Sequence, residues 1–64
     1  MRLSIPDMAC GGCAAGVRRA IAELDERATV SADPPSREAV IETKASEADV
    51  LEALQKAGFP AEVR

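Results

Sequence analysis

Polar and apolar side chains alternate through Arg2-Leu3-Ser4-Ile5-Pro6, the two-residue period of a half-buried strand with Leu3 and Ile5 on one face. Residues 7–12 carry two glycines and the first cysteine, and so predict a loop that runs into a helix. From Cys13 onward the apolar positions Val17, Ala20, Ile21 and Leu24 recur at helical spacing, with Arg18, Arg19, Glu23 and Glu26 mainly on the other side. The strand period returns at Ala28, Val30 and Ala32, and again at Ala39 and Ile41 between Glu38, Val40 and Glu42. Between these runs, Asp33-Pro34-Pro35-Ser36 enforces a reversal, because neither proline can donate to a ladder. The pair reads as a hairpin.

Ser46, with Asp49 three positions on, has the form of a helix N-cap followed by an acidic residue at the positive end of the dipole. Val50, Leu51, Leu54 and Ala57 then form an apolar stripe and Gly58 a stop, which predicts a helix over 47–57. Residues 59–63 are left as a short strand, placed at an edge by Pro60. The order is strand, helix, strand, strand, helix, strand within one domain, 1–64. Covering one sheet face with both helical stripes gives an α+β, ferredoxin-like βαββαβ sandwich: a four-stranded antiparallel sheet with two helices on one face. Val40 is expected on the open face.

Composition narrows the function. The 64 residues are 47% hydrophobic but include one aromatic residue, Phe59, and no His, Trp or Tyr, so Ala, Val, Ile and Leu must build the core. A net charge of −3 argues against nucleic acid as a partner, since phosphate neutralisation needs clustered Lys and Arg. Without His, and with little interior in which to shift a pKa, the chain is not expected to be an enzyme. No apolar run nears the roughly 18 residues of a membrane span, and the N-terminus lacks the pattern of a secretory signal. The expectation is a cytoplasmic protein with no membrane insertion.

The two cysteines, Cys10 and Cys13, lie at the predicted strand-to-helix junction within Met8-Ala9-Cys10-Gly11-Gly12-Cys13. At this spacing both thiols can turn toward one point, where the helix N-terminus favours the thiolates that bind metal. Gly11 and Gly12 let the backbone pass close to a bound ion. A closed structural zinc site takes four ligands, which two Cys and no His do not supply. Soft thiolates select Cu(I), which tolerates two-coordinate binding, and the same donors admit Ag(I), Hg(II) or Zn(II). A third sulfur from a partner can then enter before either original one leaves. A CxxC redox couple is the competing chemistry, although no Trp precedes this pair and no Pro divides it. Met8, beside an apolar strand, reads as core.

Met8-x-Cys10-x-x-Cys13, in this order of elements, resembles the heavy-metal-associated domain family of copper chaperones, P-type ATPase metal-binding domains and periplasmic mercury-binding proteins. The resemblance implies that Cys10 and Cys13 bind Cu(I), with Cys10 the more exposed and Met8 packed beneath the loop. It implies a cytosolic copper chaperone that passes Cu(I) to the metal-binding domain of a copper-transporting P-type ATPase, to a copper-responsive regulator or to another copper protein. The alternative is the N-terminal regulatory metal-binding domain of such an ATPase. A monomer is expected, with a metal-bridged dimer as the alternative if two clamps share copper. After the second helix many chaperones carry Lys, Tyr or His, where this chain has Gly58-Phe59-Pro60. Arg18, Arg19 and Lys56 are expected to form a basic fringe that guides an acidic partner.

Overall fold

A computed structural model describes residues 1–64. Its elements are β1 (Arg2–Ser4), α1 (Gly11–Leu24), β2 (Thr29–Asp33), β3 (Glu38–Glu42), α2 (Glu47–Lys56) and β4 (Glu62–Val63). They form the ferredoxin-like sandwich, with one antiparallel sheet in the order β2-β3-β1-β4. Each helix links two strands that are not neighbours, so the central pair β1 and β3 is closed by two interleaved crossovers.

Side-chain alternation sets the faces. Leu3 lies opposite Ala39 and Val63, while Arg2 lies opposite Val40, which in turn faces Ser31. Leu3, Ile5, Ala39 and Ile41 point under the helices and are buried, and Val40 is 38% exposed on the open face. Helix α1 buries Ala14, Val17, Ala20 and Ile21, and α2 buries Val50 and Leu54. Each fully buried Leu, Ile, Val or Met contributes about 1.5–3 kcal/mol relative to exposure, which makes this aliphatic layer the main stabilising term.

Three boundaries and the burial of one residue differ from the sequence expectation. Helix α1 begins at Gly11, not Cys13, because the Cys10 side chain caps it. Leu24, expected in the buried stripe, is 37% exposed in the last turn of α1, and Ala57 is exposed as the C-cap of α2. β4 is confined to Glu62–Val63. Residue 59 is drawn out of any strand by the end of α2: Gly58 takes φ +89°, its N–H donates to Gln55 O at 3.1 Å, and Phe59 N–H donates to Leu54 O at 2.8 Å. This double bond pattern is a Schellman stop, with Gly in the left-handed position. The hairpin turns through Arg37 at φ +58°, and Arg37 O accepts from Ile5 N–H at 2.7 Å, which carries the β1–β3 pairing one residue further. No helix is long and apolar enough to cross a membrane.

Candidate metal site

Residues 5–10 lead from the end of β1 to the start of α1. Met8 N–H donates to Ile5 O at 2.9 Å, and the Met8 side chain is fully buried, anchoring the loop from beneath. That leaves its thioether in the core and away from solvent, as its sequence context suggested. Above it, Cys10 is exposed and Cys13 is half-buried at the margin of the core; both are free thiols.

The two sulfurs converge into direct contact, and the Cys13 backbone N–H donates to Cys10 Sγ at 3.2 Å. Cys10 therefore occupies the N-cap, with its sulfur where a Ser or Asp oxygen ordinarily sits. The Cys13 side chain, then the Cys13 N–H and more weakly the Gly12 N–H hold the Cys10 thiol below its ordinary pKa of 9.0, against the opposing effect of desolvation. These donors stabilise the thiolate, the form that binds soft metals and attacks electrophiles. The first turn of α1 contains no acidic residue to offset them.

Space around the pair is open. A Cβ added at Gly11 would meet nothing within 4 Å, and one at Gly12 would touch only Cys10 Sγ, at 4.0 Å. Neither glycine is required by a positive φ. No group of three or more His, Cys, Asp or Glu converges anywhere in the chain, so the donor set the fold assembles is two sulfurs. That set suits an ion content with two soft ligands and suits poorly one that demands four.

Two features escaped the sequence reading. One is the sulfur cap itself, hidden because the Gly-Gly pair has the composition of a loop. The other is the approach of Phe59 to α1: a Cβ at Gly16 would lie 2.9 Å from Phe59 Cε2 and 3.2 Å from Cζ. A glycine inside an apolar helical stripe was the available signal. Of the residues expected in a basic fringe, Lys56 is paired within its own helix. Its Nζ meets Glu52 at 3.1 Å, and the groove between the helices sets Arg19 and Lys56 among Glu23, Asp49 and Glu52.

The profile of the heavy-metal-associated domain matches residues 2–60. Among curated proteins, the mercuric transport protein periplasmic component of Pseudomonas fluorescens is 34% identical over 65 residues, covering 97% of this chain and 71% of that protein. Among solved structures, a gold-binding protein is 48% identical with TM-score 0.97, covering 100% of this chain and 98% of that one. The copper chaperone Atx1 from Synechocystis is 32% identical with TM-score 0.93, covering 97% and 98%.

Proposed function

The chain belongs to the heavy-metal-associated domain family, and on that premise we propose that it is a copper carrier, binding one Cu(I) through Cys10 and Cys13. The observation that carries this reading is the convergent sulfur pair at the head of α1, with no third ligand group beside it. Low coordination has a kinetic meaning. A partner thiolate can join the ion to give a three-sulfur intermediate, after which Cys10, the exposed sulfur, is free to leave first. Each thiol that binds must give up its proton, and the donors around Cys10 ease that step.

The acceptor in this reading is a related two-cysteine domain, on a copper-transporting P-type ATPase or on another copper protein. The role is transfer, with no catalytic residue. A cytoplasmic setting, where thiols stay reduced, suits such a site. The relative named as a periplasmic component makes the compartment a point for direct test by cell fractionation.

A specific observation supports a second cargo: the 48% identical structure is of a gold-binding protein. Au(I) is as thiophilic as Cu(I) and accepts the same two-sulfur geometry. Chelator competition in reducing buffer decides between them, with native mass spectrometry to count ions per chain. The expected result is one Cu(I) per monomer, lost in Cys10→Ser and Cys13→Ser. Undiminished binding in those variants would sink the site, Au(I) displacing Cu(I) at equal concentration would reassign the cargo, and disulfide reductase turnover would favour the redox reading.

A further inference from the structure

Gly16 sits inside α1, where glycine costs about 1 kcal/mol relative to alanine. Its backbone is helical, with no positive φ that would call for glycine. The reason lies across the helix pair. The Schellman stop of α2 directs Phe59 onto α1, and the ring edge comes so close that a Cβ at position 16 would be 2.9 Å from Cε2. Such a separation requires displacement of the ring.

Gly16 is three residues beyond Cys13, and so lies on the same flank of α1, one turn along. Cys13 and Phe59 are both half-buried at the margin of one core cluster. Cys10, by contrast, stands exposed on the far side of the two glycines. We infer that Gly16 and Phe59 form a positioning pair for Cys13: the ring, admitted by the missing Cβ, clamps the turn of α1 that carries this thiol. The clamp acts on Cys13 directly and reaches Cys10 only through the Cys13 N–H and sulfur. Cys13 becomes the fixed member of the pair and Cys10 the movable one. The consequence for metal release rests on the copper reading above, whereas the positioning of Cys13 does not.

The test uses two variants. Phe59→Leu removes the ring atoms that approach residue 16 while keeping an apolar side chain, and Gly16→Ala adds the Cβ that displaces them. Cys13 is isolated in a Cys10→Ser background, where Ser retains the N-cap, and its alkylation by iodoacetamide is timed in reduced protein. Each variant is expected to raise the Cys13 rate about five- to tenfold by loosening its turn. Cys10, isolated in a Cys13→Ser background, is expected to change several-fold less than Cys13 does, because only the N–H of residue 13 links it to the clamped turn. Because the added methyl fills the space vacated by the ring tip, the combined variant is expected to fall back toward the parent rate, a coupling that independent effects do not produce. Far-UV circular dichroism checks that each variant is folded.

Independent, multiplicative effects, or a Cys13 rate unmoved by either single change, would overturn the pairing. Copper affinity of the two-thiol protein separates this inference from the functional one. If Cys13 responds as stated while Cu(I) binding survives loss of both thiols, the pairing stands and the copper site falls. If Cu(I) binding needs both thiols while Cys13 does not respond, the reverse holds.

Discussion

The two helices begin in opposite ways. Ser46 caps α2 by accepting from Asp49 N–H at 3.1 Å, and Glu47 and Asp49 place negative charge in the first turn. This is the arrangement that stabilises a helix N-terminus through hydrogen bonding and the dipole. At α1 the cap is a sulfur, the next two residues are glycines and no acidic side chain follows. Everything that would make that terminus stable is replaced by something that leaves a thiolate favoured and accessible. One N-terminus is built to hold the fold, the other to hold a reactive pair.

Helix α1 recovers order at its other end. Asp25, its C-cap, accepts from Thr43 Oγ1 at 2.7 Å, from Arg27 N–H at 3.0 Å and from Lys44 N–H at 3.4 Å, while Thr43 Oγ1 accepts from Ala45 N–H at 3.1 Å. These bonds tie α1 to the β3–α2 turn, far along the helix from the cysteines. The chain is thus anchored by carboxylate and hydroxyl at one end of α1 and capped by a sulfur at the other.

The contrast can be broken most severely at Cys10. Cys10→Ser supplies a better capping atom but removes a metal ligand, so Cu(I) affinity is expected to fall at least about a hundredfold while the melting temperature holds or rises. Chelator competition and thermal unfolding of the same sample check both halves, and a parallel loss of stability would mean the sulfur has a structural role. Ser46→Ala is expected to do the opposite. It should cost about 1 kcal/mol of stability, roughly 4–8 °C in a domain of this size, with Cu(I) affinity unchanged.

A smaller effect should come from making the first N-terminus resemble the second. Gly11→Glu places an acid in the first turn of α1, in space that a Cβ does not contest. The dipole interaction predicts a gain of about 0.3–1 kcal/mol. The added charge should also raise the Cys10 pKa, measured as a slower alkylation rate near neutral pH. An unchanged rate would show that local hydrogen bonds, not the helix field, hold the thiol down.

Asp25 gives the mildest prediction. Its bonds, that from Thr43 first and that from Arg27 second, hold its pKa below the ordinary 3.8. The native state therefore favours the ionised form, and its contribution is present above the unfolded pKa and lost as pH falls through the folded one. Asp25→Asn should lower stability in the neutral region, where the contribution is present, and converge with the parent below about pH 4, which flattens the acid limb of the stability profile. An unaltered acid limb would remove Asp25 from the account.

Much of this was legible along the chain. Leu3 and Ile5, Ala39 and Ile41, and Val50 and Leu54 announced their elements through spacing, because period 2 and period 3.6 are consequences of backbone geometry alone. The Ser46 cap was legible because its partner is three residues away. Cys10 and Cys13 drew notice by rarity and spacing, and the loop chemistry around them kept that spacing local. The first turn of α1 was misread because Gly11 and Gly12 are helix-poor by propensity, and a sulfur cap overrode them. Phe59 was misassigned because a strand propensity at the chain's end lost to a Schellman stop.

Features whose partners lie close along the chain could be read from the residues alone: the amphipathic elements, the hairpin, the N-cap of α2 and the adjacency of two thiols. Their causes act over one or two turns. Contacts between distant segments set the order β2-β3-β1-β4, the lodging of Phe59 against Gly16, the bridge from Asp25 to Thr43 and the groove that places Arg19 and Lys56 beside acidic residues. Each joins residues brought together by crossovers, and burying two helical stripes against one sheet fixes those meetings without leaving a local sign of them.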